Sequence, residues 1–205
     1  MKLYQSIGPN PRLVRMFLIE KGIELPTVDV DIIAGENRQP PFLAINPAGA
    51  TPVLMLDSGE ALAETTAICE YLEELHPQPP LIGATPEARA RTRMWTRRID
   101  LAIVQPLTNG FRAAEGLALF KDRVHCLPQA ADDLKATACE GLAWLEEQLG
   151  DRPFIAGETP TLADIVLYSF LEFGALVGQG LDPGHARLAA WHRRMAGRDS
   201  AKATA

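Results

Sequence analysis

Our interpretation of the chain starts from residues 45–56, which read INPAGATPVLML. The first half, Asn46-Pro47 followed by Ala48-Gly49, consists of residues that favour turns. The second half, from Val53 to Leu56, is an apolar run long enough for a short strand. Pro52 stands where that strand begins, a position where proline removes no ladder hydrogen bond. The stretch therefore predicts a turn that leads into a strand of a sheet.

The isomer of the Thr51–Pro52 peptide bond decides what this turn can do. A trans bond would make Pro52 simply the first residue of the strand, and local sequence favours it because cis X-Pro bonds are the minority. A cis bond would turn the N–H and C=O of Thr51 outward, where an extended peptide could pair with them. Both alternatives stay open at this point.

A short hairpin and a helix follow the predicted strand. Ser58-Gly59-Glu60 favours a tight turn between two short strands. The next segment predicts a helix over 64–75, opened by Glu64 and Thr65, with apolar positions at Leu62, Ile68, Leu72 and Leu75. Free N–H groups and the positive end of the dipole at a helix start can hold an anion.

Taken together, these stretches resemble the glutathione S-transferase superfamily, and its bacterial, Nu-like classes in particular. The shared pattern is Asn-Pro-x-Gly-x-x-Pro-Val-Leu at 46–54, then a hairpin, then Glu-Thr-x-Ala-Ile at 64–68 and Tyr-Leu at 71–72. The resemblance covers essentially the whole chain. It implies a thioredoxin-like α/β domain, ordered βαβ and then ββα, followed by an all-α domain.

The first part of the chain fits that order. We expect a strand over 2–6, a loop over 7–11, a helix from Arg12 to Lys21-Gly22 and a strand over 27–32. Such a βαβ unit makes its two strands parallel, with a right-handed crossover. The predicted domains are a thioredoxin-like glutathione-binding domain over 1–76, a proline-rich linker over 77–86 and a helical domain over 87–205.

The helical domain has a recognisable centre. Thr161 and Asp164 form a variant capping box at the start of a helix that is apolar on nearly every side, so this helix should be buried. Pro106 should kink an earlier helix. We expect the tail from Arg198 onward to be frayed.

Composition limits the classes of function. The chain has 205 residues, 47% of them hydrophobic, and a net charge of -6, which argues against a nucleic-acid-binding protein. We expect no membrane span and no signal peptide, and hence a cytoplasmic protein. Cys69, Cys126 and Cys139 are widely spaced and predict neither a disulfide framework nor a metal site.

The resemblance implies a glutathione site. Thr51-Pro52 would pair with the backbone of the cysteinyl unit. Thr65 would bind the γ-glutamyl carboxylate, and Glu64 would face the γ-glutamyl ammonium group. Arg38 and Gln39 lie where the family often contacts the glycyl end. The alternatives are a helix-capping Thr65, a solvated Glu64 and a solvated Arg38.

The catalytic residue is less obvious from the sequence. Family members stabilise the glutathione thiolate with a group just after the first strand, often a Tyr, Ser or Cys, but Gly8 and Pro9 occupy those positions here. The resemblance favours Asn10 as the thiolate donor, with Ser6 at the strand end as a second candidate. Asn10 before Pro11 also suits the N-cap of the first helix.

The resemblance further implies a co-substrate, a second substrate and a partner. Glutathione would attack a small hydrophobic electrophile, or would reduce a peroxide or disulfide, and two chains would form a homodimer. Candidates for the electrophile pocket are Trp95, Ile103, Phe111 and Phe120. The alternative is a non-catalytic binding or regulatory protein of the same fold, which Gly8 and Pro9 favour and which the intact Thr51-Pro52 and Glu64-Thr65 oppose.

Overall fold

A computed structural model describes residues 1–205, the whole chain. The chain forms two compact units. The first unit consists of Met1–Leu81 together with Asp199–Ala205, and the second unit consists of Ile82–Arg198. The last seven residues therefore pack with the first unit, whereas the sequence placed them in the helical domain over 87–205.

The first unit has a four-stranded sheet in the order β2-β1-β3-β4. β1 and β2 are parallel, and the other two pairs are antiparallel, so the predicted thioredoxin-like layout is confirmed. Its elements are β1 (Lys2–Gln5), α1 (Pro9–Lys21), β2 (Thr27–Asp29), α2 (Pro40–Leu43), β3 (Val53–Met55), β4 (Ala61–Leu62) and α3 (Thr65–Leu75).

Alternation along the strands divides the core of the first unit between the two faces of the sheet. Leu3 pairs with Leu54, and Tyr4 pairs with Val53, so each pair lies on its own face. The Tyr4 and Val53 face packs on Phe42 of α2. The other face carries Leu3 and Leu54, both fully buried, and α1 and α3, which pack on each other, supply the remaining large buried side chains: Leu13, Met16, Phe17, Ile68 and Leu72.

Helix α1 begins earlier than the sequence predicted. It starts at Pro9, after Gly8 with a φ of 111°, a conformation that suits glycine. Pro9 and Pro11 are tolerated because N–H groups in the first turn lack an intrahelical acceptor. Asn10 is thus the second residue of the helix, and the alternative of Asn10 as the N-cap is wrong.

The tail that we expected to be frayed is ordered. Helix α10 (Asp199–Ala203) packs on α1. The Arg12 guanidinium donates to the Ala201 carbonyl and to the Thr204 hydroxyl, both at 3.4 Å. Ser200 Oγ donates to Glu20 at 2.5 Å. Polar side chains distant in sequence hold the tail in place. The tail itself has no apolar periodicity, so its local sequence did not predict that it is ordered.

The second unit is helical. It contains α4 (Pro86–Ile99), α5 (Gln105–Ala113), α6 (Leu117–Phe120), α7 (Ala131–Leu149), α8 (Leu162–Leu176) and α9 (Ala186–Ala196). A widened π-helical segment over Asp100–Val104 separates α4 from α5, directly before Pro106, where a kink was predicted. Neither unit contains a helix that is long and apolar enough to cross a lipid bilayer.

Helix α8 is the buried centre of the second unit, as predicted. Thr161 and Asp164 form the capping box, and every residue from Leu162 to Leu171 is buried. The Asp164 carboxylate also accepts from the Ile155 N–H at 2.9 Å and the Trp191 indole N–H at 2.8 Å. Burial raises the pKa of Asp164, and these hydrogen bonds oppose the rise. The cap therefore links three segments of the unit.

Candidate active site

Most of the residues that the sequence singled out lie at one end of the sheet. β1 ends beside the start of β3, because Tyr4 pairs with Val53. β4 ends at that same edge, because Leu62 pairs with Leu54. The residues after β1, before β3 and after β4 therefore emerge together, and they are Ser6, Thr51-Pro52 and Glu64-Thr65.

Two asparagines hold the loop that precedes Thr51. Asn46 donates its side-chain amide to the Ala50 carbonyl at 2.8 Å and accepts from the Ala48 N–H at 3.2 Å. The buried Asn37 donates to the Gly49 carbonyl at 2.6 Å. The sequence indicated a turn at Asn46 but gave no sign of Asn37, whose contact spans twelve residues.

Thr51 presents its backbone at the edge of this loop. The Thr51–Pro52 bond is cis, the isomer that peptide pairing requires. Neither the N–H nor the C=O of Thr51 makes a backbone hydrogen bond in the structure. The Thr51 hydroxyl lies 2.5 Å from the Ser6 hydroxyl, so the two side chains hold the ends of β1 and β3 together.

Ser6 is a buried residue whose hydroxyl is already occupied. It donates to the Ile7 carbonyl at 3.0 Å and contacts Thr51, and its side chain is only slightly exposed. If Ser6 gives its proton to Ile7, Thr51 must donate to Ser6, and no Ser6 proton remains for a ligand. Ser6 is thus better suited to positioning Thr51 than to contacting a sulfur.

Asn10 provides the donors at the start of α1. Pro9 and Pro11 have no N–H, and the Arg12 N–H bonds to the Gly8 carbonyl at 3.2 Å. The Asn10 N–H is left without a partner, and so is its half-buried side-chain amide. Both donors therefore belong to the first turn of α1, at the positive end of the helix dipole.

Arg15 places a positive charge beside the segment that links β1 to α1. Arg15 donates to the Ser6 carbonyl and to the Gln5 side chain, both at 3.3 Å. Burial lowers the pKa of Arg15, and the charge of Arg12 adds to the effect, although a guanidinium stays positive at any ordinary pH. Arg15 thereby adds positive potential near the end of β1.

Glu64 has a backbone conformation that few residues adopt. Its φ of 70° and ψ of 120° lie outside the regions favoured by L-residues. Such a conformation costs about 1–3 kcal/mol and is often retained at functional sites. Glu64 is the N-cap of α3, so Thr65 is the first helical residue and the alternative of Thr65 as the cap is wrong.

The start of α3 keeps its donors free. Ile68 N–H bonds to the Glu64 carbonyl at 2.9 Å, but the N–H groups of Thr65 and Thr66 have no partner. The Thr65 hydroxyl makes no hydrogen bond, and the exposed Glu64 side chain does not cap the helix. These groups can bind a carboxylate and an ammonium group from a ligand.

Arg38 and Gln39 lie beside the loop rather than at the sheet end. Arg38 donates weakly to the Ala48 carbonyl at 3.4 Å, and a Cβ on Gly49 would come within 2.9 Å of its Nη1. Arg38 therefore rests on the loop and is not simply a solvated side chain. Gln39 is exposed and precedes α2.

Comparison with known proteins decides the family. The sequence model of the glutathione S-transferase N-terminal domain matches residues 3–80, and that of the C-terminal domain matches residues 128–194. The chain belongs to the glutathione S-transferase family.

Individual relatives of this family member span most of its length. It is 34% identical over 202 residues to glutathione S-transferase 2 of Saccharomyces cerevisiae, covering 95% of this chain and 84% of the relative. It is 37% identical to the maleylacetoacetate isomerase of Pseudomonas aeruginosa, in a match that covers 89% of this chain and 85% of the relative. The solved structure of a glutathione S-transferase domain-containing protein of Marinobacter aquaeolei is similar with a TM-score of 0.92 and 35% identity. The match covers 98% of this chain and 100% of that protein.

Two further sets of residues named from the sequence can be placed in the structure of this transferase family member. Cys69 is buried in α3, and burial, reinforced by Glu73 and Glu70, raises the pKa of its thiol well above the usual value. Among the candidate pocket residues, Trp95 and Ile103 are buried in the core, so they do not offer a surface to a ligand. Phe111 and Phe120 stay partly exposed.

Proposed function

We propose that this chain is a glutathione transferase whose glutathione site lies at the end of the sheet formed by Ser6, Thr51-Pro52 and Glu64-Thr65. The convergence of these residues carries the proposal, because it brings unpaired backbone groups of Thr51 and α3 to one edge of a fold that belongs to this family. An anionic tripeptide needs such groups along its backbone and at both ends.

Each end of glutathione has a proposed partner. Thr51 pairs with the cysteinyl backbone. Thr65 donates to the γ-glutamyl carboxylate through its N–H and hydroxyl, and the Glu64 carboxylate accepts from the ammonium group. Arg38 and Gln39 bind the glycyl carboxylate, and the partly exposed Arg38 supplies the positive charge.

Asn10 is the proposed thiolate donor. A thiol has a pKa of roughly 8.5, and each unit of lowering requires about 1.4 kcal/mol of preferential thiolate stabilisation. The N–H and side-chain amide of Asn10, together with the dipole of α1 and the positive charge of Arg15, all favour the charged sulfur. Ser6 supports Thr51 and is the second candidate.

The thiolate then attacks an apolar electrophile. A carbon–sulfur bond forms, and the leaving group departs with its bonding electrons. Reduction of a peroxide or disulfide by the same thiolate is a second outcome of the same activation. We further propose that the protein works in the cytoplasm as a homodimer, with glutathione as co-substrate and without a metal, a nucleic acid or a membrane.

The test is a pH titration of the thiolate absorbance of glutathione bound to the purified protein. We expect a pKa well below that of free glutathione, and a pKa at least about one unit higher in Asn10→Ala, corresponding to the loss of one hydrogen bond to a charged group. Ser6→Ala tests the second candidate: an unchanged bound pKa would remove Ser6 as a thiolate donor, and a rise as large as that in Asn10→Ala would assign the role to Ser6. Tight binding with an unshifted pKa would instead support a non-catalytic binding protein.

A further inference from the structure

Trp144, near the end of α7, is an exposed tryptophan of the second unit. Its exposed fraction is 36%, whereas Trp95 and Trp191 are buried. Trp144 packs on Trp95 of α4, with the ring centres 5.8 Å apart and the planes inclined by 38°. Tryptophan is highly buried on average and is enriched where proteins meet a partner. Two stacked rings from different helices thus reach the surface at Trp144.

Two arginines lie over these rings. The Arg98 guanidinium is 5.2 Å from the centre of the Trp95 ring and 5.9 Å from that of Trp144. The Arg152 guanidinium, from the segment after α7, is 5.5 Å from the centre of Trp95. Cation–π attraction at such distances holds a guanidinium in place without neutralising its charge. The rings therefore fix two positive charges on one surface.

Neither arginine has an anionic partner. The Arg98 side chain makes no hydrogen bond and no ion pair within the protein. Arg152 donates from Nη2 to the Gln148 carbonyl at 2.6 Å, which is not a charged acceptor. The adjacent Arg97, by contrast, binds Asp100 at 2.8 Å. A guanidinium carries five N–H donors and keeps its charge at any ordinary pH, so most donors of Arg98 and Arg152 are unused.

The surface is positive although the protein is negative. The chain has a net charge of -6, yet α4 contains one carboxylate, Glu87, and five arginines: Arg89, Arg91, Arg93, Arg97 and Arg98. Like charges on one helix repel each other, and a negatively charged group from outside relieves that repulsion. A local field of this sign attracts and orients an acidic partner.

We propose that Arg98 and Arg152, with the rings of Trp95 and Trp144, form a docking surface for an acidic segment of a partner protein. Each guanidinium binds a carboxylate of the segment, and an aromatic side chain of the segment packs on the exposed Trp144. Trp95 supports Trp144 and both cations from below. Tryptophan and arginine are the residue types that most often dominate the binding energy of protein interfaces.

The placement of the cations favours a segment with separate carboxylates over a single small anion. Each guanidinium is positioned by its contact with Trp95, and the two groups share no hydrogen-bond acceptor. A peptide with acidic side chains at two positions can meet each cation separately. It also covers Trp144, which inorganic phosphate would leave exposed. Binding at this surface does not depend on the transferase function proposed above.

A synthetic peptide tests this surface without glutathione. The probe is a pentapeptide, blocked at both ends, in which glutamates flank a central phenylalanine, and the comparison peptide has glutamines instead. Titration is followed by the NMR signals of the tryptophan indole N–H groups, with Trp144→Phe to assign that of Trp144. We expect the Trp144 signal to shift, and the acidic peptide to bind about tenfold more tightly than the neutral one. Equal affinities, or no binding of the acidic peptide, would overturn the proposal.

Charge variants identify the arginines involved. Arg98→Gln and Arg152→Gln should each weaken the acidic peptide about threefold or more and change the neutral peptide less than about twofold. Arg98→Lys should lie between wild type and Arg98→Gln, since lysine keeps the charge but lacks the fork. Arg97→Gln is the matched control, because it removes the same charge from the next position of α4 and should change the affinity less than about twofold. Equal weakening in Arg97→Gln would refute the roles of Arg98 and Arg152, because only the net charge of α4 would then matter.

Two other outcomes would assign the surface to a different occupant. Sedimentation should give the same oligomeric state for the wild type and Trp144→Ala. Dissociation of the variant would mean that this face joins two copies of the chain, and the proposal would be wrong. Inorganic phosphate should displace the acidic peptide no better than chloride at equal ionic strength. Phosphate binding as tight as that of the peptide would make this a site for small anions and would also overturn the proposal.

Discussion

Replacing Lys21 with methionine tests a buried ion pair at the end of α1. The Lys21 side chain is 0% exposed, and its partner Glu73 is 4% exposed. Lys21 also donates to the carbonyls of His76 at 2.7 Å and Pro79 at 2.5 Å. One cation therefore joins the end of α1 to the end of α3 and to the proline-rich segment after it.

The expected loss of stability is large because Lys21→Met leaves the buried Glu73 carboxylate without its counter-charge. Removing one partner of a buried ion pair typically costs about 3–5 kcal/mol, since the other charge stays buried and loses its counter-charge. That is a substantial share of the roughly 5–15 kcal/mol by which a domain is stable. The double change Lys21→Met with Glu73→Gln should lose less than the sum of the single changes, because no charge is then stranded.

Urea unfolding followed by circular dichroism measures these differences, and amide hydrogen exchange in α1 and α3 locates them. Lys202→Met is the control, because the pair of Lys202 with Asp199 at 3.5 Å is well exposed and should add little stability. A loss of less than about 1 kcal/mol for Lys21→Met, or strict additivity in the double change, would refute the argument from stranded charge.

Three further changes test other parts of the fold. Glu64→Gly should raise the free energy of unfolding by about 1 kcal/mol, because glycine relieves the backbone strain at φ 70°. Glutathione binding, measured by calorimetry, should weaken in the same variant. A free energy of unfolding equal to that of the wild type would mean that the backbone is not strained. Burial raises the folded-state pKa of Asp164 above its ordinary 3.8. Between that ordinary value and the raised pKa, the folded state binds more protons than the unfolded state, so stability falls as pH rises across this range. Asp164→Asn should remove this part of the pH dependence of unfolding, although it destabilises the protein at every pH, and an identical slope in both proteins would contradict the assignment. Deleting residues 199–205 should increase hydrogen exchange in α1, and unchanged protection there would show that α10 contributes nothing to α1.

The local patterns that predicted elements correctly are those with a short-range physical cause. Thr85-Pro86 is a sequence typical of a helix start, and the Thr85 hydroxyl caps α4 by accepting from the Ala88 N–H at 3.2 Å. Pro106 predicted the irregularity before it, because proline removes a helical hydrogen bond. The capping box at Thr161 needs only residues three apart.

The candidate site was predicted less completely. Thr51-Pro52 and Glu64-Thr65 followed from motifs and lie at one end of the sheet. The starts of α1 and α3 were each misjudged by a small shift, which changed Asn10 and Thr65 from possible caps into residues with free donors. Glycine before two prolines permits a helix start that propensity alone does not reveal.

By itself, the sequence determined the order of the elements, the capping box that starts α8, and the motifs of the candidate glutathione site, since all of these depend on neighbours within a few residues. Only the tertiary structure decided that Asn37 holds the loop before Thr51, that α10 returns to α1, that Lys21 is buried with Glu73, and that Arg152 lies over the Trp95 ring. These facts depend on contacts between residues far apart in the chain. No local spacing encodes them, because packing brings such residues together only after the elements have formed.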